Sequence, residues 1–372
     1  MKRHAPSCQL CIVPPPMSET RDPPPTDKPP TIIDVAARAG TSKSTVSNVL
    51  QGKIHVDERT RARVLEAIAE LGYRTNVAAR YMRQRSQLLG VVVGDLRNPF
   101  HAELAVHVEQ CASATQHTLL LVTTSGLPEQ EAQRVETLIE HRVAAILFFA
   151  FSGDAAVLKA IPKDLPRLFV SFRSPGGTSI SVDEEDGARL AVEHLLSLGH
   201  ERIAYVSTTL EHQWRTDEAR YAGYARTLKR HRLDPGSGPS LRLAGDGTAT
   251  PEEVQAALEE LLTSAARPTA IFAASDFTAI EIMEAADAVG LEIPRDLSVV
   301  GFDDIAMAGL SRIALTTIAQ PMAELADRAV RRALTMPVAR RPRDIVLPPR
   351  LVVRSSTGPS PARAPASRPR AR

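Results

Sequence analysis

The sequence predicts an α/β protein. Its core should hold two lobes, each a parallel sheet with helices on both faces, behind a small all-α head of helix-turn-helix form. Three observations predict it. From Leu88 on, short apolar runs alternate with amphipathic helical stretches, the pattern of parallel strands buried beneath helices. That alternating part is about 270 residues long, more than one open sheet of ordinary size holds, so it divides in two. Ahead of it, from Thr31 to Gly72, apolar residues recur at helical spacing in short pieces closed by glycine. A chain of 372 residues suits two or three such domains.

Thr31 caps the first helix of the head, with Asp34 at the third helical position completing a capping-box pair. Ile32, Val35, Ala36 and Ala39 form its apolar face. Gly40 stops it, because the left-handed residue after a helix costs least as glycine. Ser42 caps a second helix whose inner stripe is Val46, Val49 and Leu50. Its other face carries Lys43, Ser44, Thr45, Ser47 and Asn48, short and mostly uncharged polar side chains that suit base edges and phosphate oxygens. Gly52 ends it. Taken alone, this pair reads either as a helix-turn-helix or as a helical hairpin with a solvated face. Asp57 caps a third helix, with Val64, Leu65, Ile68 and Leu71 inward and Gly72 closing it. A bundle of roughly 45 residues lies near the lower limit for an independent domain. From Tyr73 to Ser86, Val77, Ala78, Tyr81 and Met82 allow a turn or two of helix, too short to persist without packing or a ligand. Arg74, Arg80, Arg83 and Arg85 there point to a polyanion or make a solvated basic linker.

Charge is informative locally. The chain as a whole carries +2, but Thr31 to Ser86 holds ten Lys/Arg against five Asp/Glu, a surplus suited to phosphates. Aromatics at 4 % argue against base stacking as the main chemistry. Residues 1–30 are proline-rich and cannot build a core, so an extended, disordered arm is expected. Lys2 and Arg3 are not followed by the apolar run of a signal peptide, and Met17 is an alternative start. Cys8 and Cys11 make a lone C-x-x-C in that arm, without the second ligand pair of a structural zinc site; coincidence is favoured over a redox or metal role. With Cys111 the only other cysteine, no disulfide framework is visible, as in a reducing cytosol. The longest strongly apolar run, Val143 to Phe151, is too short to span a bilayer.

In the core, Leu89 to Val93, Thr118 to Val122, Ala144 to Phe149, Leu168 to Val170, Ile203 to Val206, Ala270 to Ala274 and Ser298 to Phe302 read as buried strands. Ala188 to Leu198 and Asp276 to Val289 read as helices between them, ended by Gly199 and Gly290. Ligands in such sheets sit beyond the carboxyl ends of the strands. Enzyme signatures are missing: no G-x-x-x-x-G-K, no G-x-S-x-G and no H-E-x-x-H, and the ten histidines show no ligand spacing. Neither a metal nor a cofactor is expected.

The blocks I-I-D-V-A-A-R-A-G-T-S-K-S-T-V-S-N-V-L, T-R-A-R-V-L-E-A-I-A-E-L-G-Y and N-V-A-A-R closely resemble the DNA-binding head and hinge of the lac repressor and purine repressor family of bacterial regulators. The resemblance continues through N-P-F-H-A-E-L, G-A-R-L-A-V-E-H-L-L-S-L-G-H, G-L-E-I-P-R-D-L-S-V-V-G-F-D-D and L-T-T-I-A-Q-P, from about Thr31 to Thr357. It implies a core of two lobes like periplasmic sugar-binding proteins, crossed three times by the chain, with the ligand between them. The divisions it suggests are an arm at 1–30, the head at 31–75 and the hinge at 76–87. One lobe takes 88–182 plus 320–340, the other 183–319 plus 341–357, and a basic tail follows at 358–372.

By that resemblance Lys43, Ser44 and Asn48 read bases in the major groove, Lys43 facing guanine or only phosphate and Asn48 adenine. Thr45, Ser47, Asn76, Arg80 and Arg83 fall on the DNA backbone. Met82 stands where relatives carry a leucine wedge in the minor groove, or it packs the hinge helix. The implied effector pocket is Phe100, His101, Ser171, Trp214, Glu218, Ser275, Asp303, Gln320 and Met322. Sugar-binding relatives commonly have Asp near Ser171, Arg near Glu218 and Asn near Ser275. A glutamate cannot supply an arginine's fork of donors, so the expected ligand is cationic or hydrogen-bond-donating, stacked on Trp214, and not a neutral sugar bound in the usual way. The alternative, if the alignment slips, is that Arg215 supplies the guanidinium and Glu218 faces solvent. The proline- and arginine-rich end cannot form a coiled coil, which favours a homodimer over a tetramer. The expected whole is a cytoplasmic, dimeric regulator of transcription, a repressor on a pseudo-palindromic double-stranded DNA operator, controlled by a small-molecule effector and without a membrane partner. The reading from another class is a solute-binding receptor of the same two-lobed fold with no DNA role.

Overall fold

A computed structural model describes residues 30–50, 56–73, 86–124, 127–174, 177–208, 214–235, 240–242, 250–335 and 344–361, with the side chains of Pro128, Trp214 and Arg215 excepted. Its contacts divide the chain into a unit ending at Arg83 and another beginning at Gln84.

The first unit contains α1 (Ile32–Arg38), α2 (Lys43–Leu50) and α3 (Glu58–Leu71). Thr31 and Asp34 form the capping box at α1, each side chain bonded to the other residue's backbone N–H. Gly40 has φ +59° and Gly72 φ +61°, the left-handed conformation that lets α1 and α3 end abruptly. Val35, Ala36, Ala39, Val46, Val49, Val64 and Ala67 make one small core, with Ile32, Leu50, Ile68, Leu71 and Tyr73 packed at its edge. Leu65, expected inside, is 53 % exposed. Val64, Ala67 and Ile68 follow the helical repeat toward the core, and Leu65 stands off that stripe. An Arg38–Glu70 ion pair at 2.6 Å joins α1 to α3 at the surface.

The second unit holds two six-stranded sheets. In chain order its elements are β1 (Leu88–Val93), α4 (Pro99–Ala114), β2 (Thr118–Thr123), α5 (Pro128–Glu140), β3 (Ala145–Phe148), α6 (Ala155–Ala160), β4 (Arg167–Val170) and β5 (Thr178–Val182). Then come α7 (Glu184–Ser197), β6 (Ile203–Ser207), α8 (Trp214–Arg230), β7 (Leu241–Arg242), α9 (Pro251–Thr263), β8 (Ala270–Ala273), α10 (Asp276–Ala288) and β9 (Ser298–Asp303). A 3-10 turn (Ala306–Gly309), β10 (Thr316–Ala319), α11 (Met322–Thr335), β11 (Asp344–Leu347) and β12 (Arg350–Val352) complete it. The first sheet runs β11-β5-β4-β3-β1-β2 and is parallel throughout. The second runs β12-β10-β9-β8-β6-β7, with only β12 antiparallel.

The chain therefore crosses between lobes after β5, after β10 and between β11 and β12. The sequence placed the last return at 341. β11 instead extends the first sheet, pairing with β5 in the register Asp344↔Ser179 to Leu347↔Val182, so the return falls after Leu347. Five strands were missing from the sequence reading: β5, β7, β10, β11 and β12. β5 reads T-S-I-S-V, yet all five residues are buried, and small hydroxyls hide that burial from an apolar count. Among the described residues no helix is long and apolar enough to cross a membrane, and no group of three or more His, Cys, Asp and Glu could hold a metal ion.

Candidate functional site

Two places in the described structure carry candidate residues. The first is the outer face of α2. Ser42 Oγ accepts from Thr45 N at 3.1 Å and lies 2.7 Å from Ser44 Oγ and 2.8 Å from Thr45 Oγ1, so the cap also orients two of the polar side chains. Val46 and Val49 hold α2 against the core, leaving Lys43 and Ser44 exposed and Thr45, Ser47 and Asn48 half-buried. Thus Lys43 and Ser44 stand clear of the core, and Thr45, Ser47 and Asn48 flank it. Asn76, Arg80, Met82 and Arg83 lie outside the described residues.

The second place is a narrow cleft between the two sheets, with a cavity volume of about 30 Å³. Strand ends supply it. Phe149 to Phe151 follow β3, Ser171 and Phe172 follow β4, Ser275 follows β8, and Asp303 ends β9. Asn98, Phe100 and His101 come from the start of α4, where Asn98 Oδ1 caps the helix by accepting from Phe100 N at 3.0 Å. Ser171 at φ +74° and Asp303 at φ +126° hold backbone conformations costly for residues with a Cβ. Such strain concentrates where side chains must be aimed.

Arg220, on α8, organises the polar side of the cleft. Its Nε donates to Glu184 Oε2 at 2.7 Å, Nη1 donates to the Ala274 carbonyl, and Nη2 lies 3.7 Å from Asp303 Oδ1. The guanidinium also stacks over the Phe302 ring, 3.7 Å from its centroid. Burial alone would favour the neutral side chain, but Glu184 and Asp303 together hold its pKa above the ordinary arginine value. Burial pushes the carboxyls of Glu184 and Asp303 up, with Arg220 pulling the other way in each case.

A third buried carboxylate, Asp276, interacts with Asp303. Asp276 Oδ2 accepts from Ile305 N at 2.9 Å, and Oδ1 accepts from Thr317 Oγ1. A Cβ on Gly301 would come within 2.2 Å of that Oδ1, so the close approach of β9 to α10 requires glycine there. Burial raises Asp276 to about 6 despite its hydrogen bonds.

Of the pocket residues expected from sequence, Phe100, His101, Ser171, Ser275 and Asp303 line this cleft together. Gln320 stands behind it, donating from Nε2 to Asp303 Oδ1 at 2.7 Å. Met322 is buried in the hydrophobic core and is not among the lining residues. The side chains of Trp214 and Arg215 lie outside the described residues. Glu218 is exposed and does not line the cleft. The expectation that Glu218 takes the place of the relatives' arginine in the pocket is therefore corrected, since Arg220 lines the cleft. Two residues on from Glu218, Arg220 faces inward with Asp217, Gly223, Tyr224, Thr227 and Leu228 on the buried stripe of α8. Sequence reasoning also missed Glu184, Asn98, Thr216 and the aromatic wall of Phe149, Phe151 and Phe172.

Comparison with known proteins gives the following. Residues 31–76 match the family model described as bacterial regulatory proteins, lacI family. Residues 192–357 match that of a periplasmic binding protein-like domain. Catabolite control protein A of Priestia megaterium is 32 % identical over 335 residues, covering 88 % of this chain and 99 % of that protein. Among solved structures, the lac repressor dimer bound to operator and the anti-inducer ONPF superposes with a TM-score of 0.75 at 30 % identity, covering 89 % of this chain and 100 % of that one. The complex of the transcriptional regulator CelR with cellobiose gives a TM-score of 0.62 at 26 % identity, covering 88 % and 99 %.

Proposed function

Because the chain belongs to the lac repressor family of helix-turn-helix transcription regulators with an effector-binding domain, we propose that it is a cytoplasmic homodimeric repressor released from or driven to its operator by a neutral polyhydroxy ligand. The observation that carries the ligand class is the buried Arg220 beside Asp303 in the cleft. A guanidinium and a carboxylate side by side offer donors and acceptors to neighbouring hydroxyls. Ser171, Ser275 and Thr216 add further hydroxyls, and Phe100, Phe149, Phe151 and Phe172 give apolar walls for C–H faces. Arg220 is the one cation among the described lining residues and is already matched by Glu184 and Asp303. A phosphorylated or carboxylated ligand would find no spare positive charge there. The relative crystallised with cellobiose binds a ligand of the proposed kind.

In the head, Lys43, Ser44 and Asn48 read base edges of a pseudo-palindromic double-stranded operator, and Thr45, Ser47, Asn76, Arg80 and Arg83 meet its backbone. Met82 enters the minor groove as a wedge, so Met82→Ala should bend operator DNA less than the parent in a circular-permutation gel assay; equal bending counts against the wedge.

A dimer face is also at hand. Glu103 of α4 accepts from Ala306 N at 2.9 Å across the lobes, with Val106 one turn along α4 from Glu103 and Met307 next to Ala306 in the chain. Val106 is 54 % exposed and Met307 42 %, with Leu310 exposed as well. Exposed apolar residues on both lobes, close in sequence to that bond, suit a two-fold contact. Duplexes selected from a random pool by the full chain, then tested by gel shift with neutral sugars, sugar phosphates and amines, examine the whole reading. No enriched palindrome would remove the DNA role and favour the solute-receptor alternative. Release by a sugar phosphate alone would overturn the neutral-ligand class.

A further inference from the structure

Beside the cleft, where the chain first crosses between the lobes, lies a separate hollow of about 610 Å³. Arg173, Ser181 and Val346 reach it from the first lobe, and Asp183, Glu184 and Glu218 from the second. Among the described residues it shares only Phe172 and Thr216 with the cleft. Two of its residues carry buried polar atoms without a hydrogen-bond partner, Ser181 Oγ and Glu184 Oε1. Ser181 is 1 % exposed and Glu184 9 %. Buried polar atoms are nearly always partnered, so two orphans in the wall of one hollow need an explanation.

The charges around them give it a sign. Asp183 and Glu218 are exposed at the rim. Asp183 Oδ1 accepts from Asp186 N at 3.0 Å, as a helix cap. Arg173 lies 3.7 Å from Asp344, and Glu185 is paired with Arg226. Counting wall residues and these partners, five acids (Asp183, Glu184, Glu185, Glu218, Asp344) face three arginines (Arg173, Arg220, Arg226).

We propose that this hollow is a second ligand site, for a small organic cation bearing primary ammonium groups, such as a short diamine. An ammonium brings three N–H donors and no acceptor, which matches the unpartnered acceptors Glu184 Oε1 and Ser181 Oγ of two lining residues. A second ammonium meets Asp183 and Glu218 at the rim through charge-assisted bonds. The walls come from both lobes, so an occupant ties them together. Glu184 also holds Arg220, so occupancy bears on the cleft. The site stands whatever occupies the cleft.

The test is calorimetry on the full chain at low ionic strength with 1,4-diaminobutane, using 1,4-butanediol as the neutral control. One diamine should bind per chain and the diol should not. The variant Asp183→Asn/Glu218→Gln removes two charges while Asn keeps the cap. It should melt like the parent and bind the diamine at least about tenfold more weakly. Asp303→Asn, in the cleft, should bind it within about threefold of the parent. The proposal is overturned if the parent fails to bind at millimolar diamine, if diol and diamine bind alike, or if the double variant keeps the parent's affinity. It is equally overturned if Asp303→Asn alone abolishes binding, which would put the diamine in the cleft.

Discussion

An Arg220→Met variant keeps the length of the side chain and removes its charge. Glu184 and Asp303, 9 % and 4 % exposed at their side chains, would then lie buried without a counter-ion. Breaking a buried pair by removing one partner costs about 3–5 kcal/mol. For a domain of this size each kcal/mol moves the melting temperature by about 2–4 °C, so the loss should be roughly 6–20 °C near neutral pH. The sign with pH follows from the two acids. Burial already raises both above their ordinary values of 4.5 and 3.8, and removing Arg220 raises them further. Stability from such groups is complete below their unfolded values and is lost as pH rises through the folded ones. The gap between variant and parent should therefore be widest at pH 7 and above and should narrow toward pH 4–5, as both acids take up protons. Differential scanning fluorimetry across pH 4.5–8 measures this directly. The companion Arg220→Met/Glu184→Gln should recover part of the loss, since one stranded charge is gone. A variant melting within about 2 °C of the parent at pH 7, with a gap that does not change with pH, would refute the buried-pair argument.

Further outcomes are expected elsewhere in the chain. Asn48→Ala should cost about 1–3 kcal/mol at one operator base pair and relax preference there; equal loss on operator and random duplex in a gel shift argues against base reading. Asp276, with a folded value of about 6 against 3.8, contributes stability fully below pH 3.8 and loses it as pH rises through 6. Asp276→Asn removes that fall, so the variant should gain on the parent from pH 5 to 7; a constant difference between their melting temperatures would contradict it. Val106→Glu/Leu310→Glu should shift the mass in light scattering from twice the chain's 40.3 kDa to once. A tetramer in the parent would reject the dimer reading.

The head was legible in the sequence almost residue by residue, because caps and glycines punctuate it. Thr31, Asp34, Gly40, Asp57 and Gly72 each do in the structure what their chemistry suggested. Leu65 escaped, since one apolar residue beside a helical stripe does not reveal that it stands off it. In the core, strands of valine, leucine and phenylalanine were visible, whereas β5 and β10 were not. Ser179, Ser181, Thr316 and Thr317 are buried there as polar residues. The arginine of the cleft was misassigned for a related reason. Matching motifs leaves the register of α8 loose, but its own periodicity does not. Asp217, Arg220, Tyr224, Thr227 and Leu228 are spaced as one helical face, and Glu218 is off it. Gly223 is a further sign. A Cβ there would lie 2.6 Å from the Glu185 carbonyl, so this side of α8 must face α7.

The third crossing has a bearing on how the chain is made. β11 completes the edge of one sheet and β12 the edge of the other, and both come from a single short stretch near the carboxyl end. As the ribosome emits the chain, β5 must wait for Asp344 and β10 for Arg350. At usual rates the first lobe stays unfinished for roughly ten seconds to a minute after its first strand emerges. From its emergence until Asp344 arrives β5 presents an open backbone edge, and β10 does so more briefly until Arg350, the kind of edge that recruits other strands. Ribosome-bound chains halted before Asp344 should thus be cut readily by protease in both lobes, while the small helical unit ahead of them is already folded. Neither half can serve as a finished template for the other, and a nonsense codon between Ala319 and Asp344 would leave two unsealed sheets instead of one sound lobe and one broken one.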